Sequence, residues 1–188
     1  MASQAPPPKL PENVFRQILA SRNAKEVPMG EYKIMVFSSN DKFLSTRNMN
    51  SCSGLAIISQ KAVLLAHIKP MDPKILAKEG KTAGQSYTEH IMGLIQQAFL
   101  GYKQYFPSDS PAVVVSSVHN GIIALEDQRT IIFSVLKTMN FLNTVNVLYT
   151  TRQTAQAKTA AGIYGGTIIV AGPGALGQRQ ETDVSVEG

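Results

Sequence analysis

The chain has 188 residues, of which 44% are apolar, and a net charge of +5; this is the size of one domain, with enough apolar content for a packed core. No apolar run approaches the roughly 20 residues that span a bilayer, and the basic residues are scattered, which sets aside membrane and nucleic-acid partners. The single cysteine, Cys52, excludes an intrachain disulfide framework and a cysteine-based zinc cage; with no apolar h-region at the N-terminus, the expected compartment is intracellular and cytoplasmic.

Residues 1–11 are rich in proline and polar residues and are expected to form a disordered arm. Residues 12–171 are expected as a single catalytic-type domain, and 172–188 as a flexible tail. A short helix is predicted over 13–20, followed by a polar connection over 21–30 with Pro28 and Gly30 as breakers. Residues 32–37 alternate and read as a first strand, with 42–46 as a short second one. Two continuous apolar runs, 54–59 and 62–68, are split by Ser59-Gln60-Lys61; such runs suit strands covered on both faces.

From Tyr87 to Tyr105 the period becomes helical, with Ile91, Leu94, Ile95, Phe99 and Tyr102 on one face. Residues 112–118 read as a strand and His119-Asn120-Gly121 as a turn. A second helix opens at Glu126 and Asp127, whose charge suits the positive end of a helix dipole, and closes near Asn143 and Thr144. Residues 145–149 form a strand, 152–161 a loop or short helix, and 163–171 a final β region with Gly165-Gly166 as a hairpin turn or bulge. The expected fold is therefore an α/β (α+β) layered sandwich of mixed β-sheets with two main helices.

The chemistry concentrates between Thr46 and His67. Cys52 lies in a run of small polar residues, Asn48, Asn50, Ser51, Ser53 and Gly54, and not inside an apolar run. If the two apolar runs pair as an antiparallel hairpin, the second returns His67 to the neighbourhood of Cys52. A thiol beside an imidazole is a minimal nucleophilic pair, because the imidazole can take the thiol proton and only the thiolate attacks well. Asn50, Ser51 and Ser53 are expected to line the site. The backbone N–H groups of Cys52 and Ser53 are expected to form an oxyanion hole. Thr46, Asn48, Asn50 and Ser51 are all near enough in sequence to orient the imidazole.

The spacing of Thr46, the Asn50-Ser51-Cys52-Ser53 run and the Ala66-His67-Ile68-Lys69-Pro70 segment resembles that of the CheD-type protein-glutamine deamidases and of the cytotoxic necrotizing factor class of deamidase toxins. The resemblance extends, at the level of layout, over residues 32–171. It implies a CheD-like fold and a catalytic set of Cys52, His67 and Thr46, with Thr46 orienting the imidazole. It further implies a cysteine-dependent amidohydrolase that deamidates glutamine side chains of a protein substrate, with no cofactor and no metal. Asn50 stands where the CheD-type turn carries glycine; asparagine tolerates left-handed backbone better than most residues, so Asn50 is expected to preserve that turn.

Two rival readings remain. One is a catalytically inactive binding or scaffold module of the same fold, in which Cys52 is a bystander. The other keeps the dyad for a small-molecule amidase or thioesterase, or for transglutaminase-like acyl transfer. The run Gly172-Pro-Gly-Ala-Leu-Gly177 matches a dinucleotide fingerprint by letter but has no βαβ context. His90 and His119 read as helix-surface and turn residues.

Overall fold

The computed structural model describes residues 17–18, 20–21, 24–150, 166–176 and 183–187. The expected arm over 1–11, most of the first helix, and the 152–161 connection with Gly165 lie outside the described residues; Gln17, Ile18 and Ala20 are helical. The fold is mixed α+β, as the layered pattern of the sequence implies. One sheet has four strands in the order β1-β3-β9-β10: β1 (Ala24–Glu26), β3 (Phe43–Thr46), β9 (Thr167–Ala171) and β10 (Asp183–Glu187). The other has six, with β2 (Tyr32–Val36), β5 (Ala62–Ile68), β4 (Ser53–Ile58) and β6 (Ala112–His119) in order; β7 (Ile122–Ile123) and β8 (Thr144–Thr150) both pair with β6.

The two apolar runs form the antiparallel hairpin β4–β5, with Ile58 opposite Val63 and Ser53 opposite Ile68. Every residue of both strands is buried, because the six-stranded sheet is covered on both sides. Successive side chains of a strand point to opposite faces, so each continuous run divides into two functional rows. Leu55, Ile57, Leu64, Ala66 and Ile68 pack on helices α1 (Ala83–Tyr102) and α2 (Glu126–Thr138), against Ile91, Met92, Ile95, Ile132 and Leu136. Ala56, Ile58, Val63 and Leu65 face the four-stranded sheet and meet Leu44, Ile168 and Val170. The molecule is thus three layers deep, and the row that includes position 67 faces the inter-sheet core.

Helix α1 begins a turn earlier than its apolar period suggests. Thr82 accepts the Gln85 N–H at 3.1 Å while the Gln85 side chain accepts the Thr82 N–H at 2.7 Å, a reciprocal cap that satisfies two orphan donors. A 3₁₀ turn over Lys103–Tyr105 follows. Glu126 and Asp127 occupy the first turn of α2. That helix ends at Thr138, before Asn143, because Asn140 turns left-handed at φ +69°.

Three short elements escape periodicity. Strand β1 lies within the expected polar connection and is held parallel to β3. Strand β7 follows Asn120 and Gly121, whose φ values of +51° and +81° suit a two-residue hairpin turn of right-handed twist. The expected tail over 172–188 instead supplies β10, which pairs antiparallel with β9; backbone pairing along a sheet edge stabilises a segment too polar to announce itself.

Leu64 is fully buried between sheet and helices, whereas Leu76 is 84% exposed. Leu64→Ala is expected to lower unfolding free energy by about 2–5 kcal/mol, and Leu76→Ser to change it by no more than about 0.5 kcal/mol. Urea denaturation of the two variants against the parent checks both.

Candidate functional site

His67 lies opposite Gly54 in the β4–β5 ladder, and its side chain enters the inter-sheet layer. The facing strand β3 ends in Thr46, which is fully buried. Thr46 Oγ1 lies 2.7 Å from His67 Nδ1 and donates to the Val27 carbonyl at 2.8 Å. Proton counting assigns the tautomer. A carbonyl has no proton to give, so the single hydroxyl proton of Thr46 lies toward Val27. The Thr46 oxygen then accepts from His67 Nδ1–H, which leaves the lone pair on Nε2. That Nε2 is buried without a hydrogen-bond partner among the described residues. Burial draws the imidazole pKa from 6.5 down to about 4, with Glu26 opposing the shift; desolvation disfavours the charged form. The imidazole is therefore neutral near pH 7.

Cys52 sits one residue before β4 and is 2% exposed. It belongs to the inter-sheet core with Met49 and Tyr149, on the same row parity as Gly54 and diagonally placed with respect to His67. Gly54 leaves space in that row: a Cβ there would fall 2.3 Å from Ile168 Cδ1 and 3.1 Å from Met49 Sδ. Burial pushes the Cys52 thiol up to about 11, against the lowering effect of Lys69. The resting pair is a neutral thiol and a neutral imidazole, not a thiolate–imidazolium ion pair.

The backbone around the thiol departs from expectation in two ways. The left-handed positions are Asn48 at φ +61° and Ser51 at φ +73°, not Asn50. The exposed Asn50 spends its N–H on the Asn48 carbonyl at 2.8 Å, and the turn into the cysteine is made by Ser51. The expected oxyanion role of the Ser53 N–H is also not available in this state. His67 directs both backbone groups toward the β2 side, donating to Glu31 O at 2.9 Å and accepting from Gly30 N at 2.8 Å. Backbone direction alternates along a strand, so Ile68 faces β4, and Ser53 N–H, opposite it, is taken up by the Ile68 carbonyl.

Thr46, Cys52 and His67 are thus buried at the inter-sheet layer; Ser53, also buried, shares the row of Leu55 and Ile57 that faces the helices, and Asn50 and Ser51 form an exposed and a half-buried rim. Sequence reasoning missed Tyr149, whose hydroxyl donates to the Cys52 carbonyl at 2.7 Å. It comes from β8, and no local pattern links it to the cysteine. His90 and His119 are exposed, and Gly172 packs its backbone against the Phe37 ring, where a Cβ would fall 2.5 Å from Cδ1. Among the described residues, no group of three His, Cys, Asp or Glu side chains could hold a metal, and no helix is long and apolar enough to cross a membrane.

Two outcomes follow from this geometry. Because His67 has a folded pKa near 4, below its ordinary 6.5, its neutral form stabilises the fold fully above pH 6.5. That contribution, up to about 3 kcal/mol, is lost as pH falls through 6.5 toward 4; denaturant midpoints measured across that window should show the slope, and His67→Gln should flatten it. Thr46→Val removes the hydroxyl and strands the Val27 carbonyl and the Nδ1–H, with an expected loss of about 1–3 kcal/mol and a mixed His67 tautomer in side-chain nitrogen NMR. Comparison of the chain with known protein families and with curated proteins finds no match.

Proposed function

We propose that the protein is a cysteine-dependent amidohydrolase that deamidates glutamine side chains of a protein substrate, in the manner of the CheD-type and cytotoxic necrotizing factor enzymes that its sequence resembles. The observation that carries this reading is the Thr46–His67 contact at 2.7 Å. It presents a buried, unprotonated Nε2 in the layer that also holds the only cysteine. A structural histidine satisfies both nitrogens; this one holds a lone pair in reserve.

In this mechanism the thiol stays protonated until substrate binds. As Cys52 Sγ bonds to the carboxamide carbon, its proton passes to His67 Nε2. Desolvation opposes a free charge on either partner, so proton transfer accompanies attack and does not precede it. The Cys52 N–H and the side-chain amide of Asn50 at the rim hold the oxyanion. Collapse breaks the C–N bond, and His67 returns its proton to the leaving ammonia. Water, deprotonated by His67, then cleaves the thioester, which yields a glutamate side chain and restores the thiol.

The exposed rim favours a protein substrate over a small molecule, since 47–51 presents Asn48 and Asn50 to solvent. The closed state of Cys52 is the observation that favours the second reading, a binding module with an inert thiol, because reactive cysteines are partly exposed.

The test is ammonia release from a glutamine-rich protein, casein for example, with mass spectrometry of the product. Cys52→Ser should reduce turnover to background, and His67→Ala should reduce it by about 10²–10⁴-fold. Release from free glutamine but not from casein would favour the small-molecule amidase. Equal signals from the parent and Cys52→Ser would leave the binding module.

A further inference from the structure

We propose that Tyr149 is a positioning residue for the Cys52 thiol: its hydroxyl, donated to the Cys52 carbonyl, holds the left-handed turn at Ser51 and so keeps the sulfur on the His67 side of β4. This rests on the Cys–His reading above and adds a residue to it.

The argument starts from what holds Cys52 in place. Strand β4 begins at Ser53, and its ladder with β6 reaches only as far as the Gly54–Val115 pair. The Cys52 carbonyl thus lies beyond both ladders, in a layer from which water is excluded. A buried carbonyl without a donor is costly, and the hydroxyl of Tyr149 supplies one at 2.7 Å. The residue before it, Ser51, is held at φ +73°, a conformation that costs a non-glycine residue on the order of 1 kcal/mol or more. A strained turn persists only where its surroundings hold it, and here the backbone of both Ser51 and Cys52 lies against the phenol.

The phenol itself is fixed. Tyr149 is 3% exposed, and β8 runs parallel with β6 and places Tyr149 opposite Ser117. On the other side the chain passes at Gly166, which adopts φ +59°; a Cβ there would fall 2.8 Å from Tyr149 Cε2 and 2.6 Å from the Met49 carbonyl. The same Gly166 carbonyl accepts the Met49 N–H at 2.9 Å. Glycine at this point lets the tyrosine ring and the 47–51 turn close on each other. Burial raises the phenol pKa, so the group remains a hydrogen-bond donor across the neutral range. Rotation about the Ser51 backbone would otherwise swing the Cys52 side chain out of the inter-sheet layer that holds His67, and small misplacements of reacting groups cost rate steeply.

The experiment is a double-mutant cycle on the full chain, read as the rate of Cys52 alkylation by iodoacetamide at neutral pH with intact mass detection. Tyr149→Phe is expected to slow alkylation about tenfold in the parent and to have no effect in His67→Ala, because the tether acts through the His67 alignment. Adding Ser51→Gly removes the left-handed penalty and should return the Tyr149→Phe rate toward that of the parent. An equal factor in both backgrounds, or faster alkylation of Tyr149→Phe, overturns the role of Tyr149 and leaves the Cys–His pair standing. An unchanged rate in His67→Ala alone overturns both. If Tyr149→Phe loses its cooperative melt, para-fluorophenylalanine at position 149 fills the volume of the hydroxyl without donating, and the same outcomes apply.

Discussion

Burial of the β4–β5 hairpin on both faces is the constraint on which the rest of the structure depends. A sheet covered on one side only would show alternating apolar and polar residues. Here the helices cover one face and the four-stranded sheet covers the other, so both rows are apolar. A polar group admitted to such a layer must bring its partners with it. Thr46 and His67 do so across the two sheets, and the Val27 carbonyl completes the chain of donors and acceptors. That chain leaves one imidazole nitrogen without a partner among the described residues.

The same low-dielectric layer that sharpens hydrogen bonds penalises charge. It pushes the thiol up to about 11 and the imidazole down to about 4, in opposite directions for one physical reason. A pair set in this way cannot rest as an ion pair. In the proposed reaction it would exchange a proton only as the products of exchange are stabilised, which would couple thiol activation to the arrival of a substrate. A buried neutral thiol of this kind oxidises slowly, since oxidation requires thiolate and access.

Strand order explains how residues far apart in sequence form one site. Cys52 is placed one residue before β4, Thr46 at the end of β3, His67 near the end of β5, and Tyr149 near the end of β8. These ends gather because β3 and β5 face each other across the core while β4 and β8 flank β6. Thr46, His67 and Tyr149 are held in their ladders, opposite Ile168, Gly54 and Ser117; Cys52 lies just outside, and the Tyr149 hydroxyl substitutes for the ladder at its carbonyl.

The layered α+β class, the β4–β5 hairpin, the long helix and the return of His67 to the start of β4 were all legible in the sequence, because each rests on local periodicity or on a short span of chain. Local signals failed where pairing decides the outcome. Strands β1 and β10 form because a neighbouring edge accepts their backbone, not because their side chains demand it. The Ser51 turn replaced the one expected at Asn50 because the cysteine carbonyl is anchored from β8. The Ser53 N–H was lost to Ile68 because strand register, invisible in composition, sets which way a backbone group points. Sequence determined which residues could carry the chemistry; tertiary structure decided which nitrogen keeps its lone pair, which amides are already bonded and how deeply the thiol is buried. Those three properties depend on contacts between distant segments, such as Tyr149 and Cys52, 97 residues apart, and no pattern along the chain encodes them.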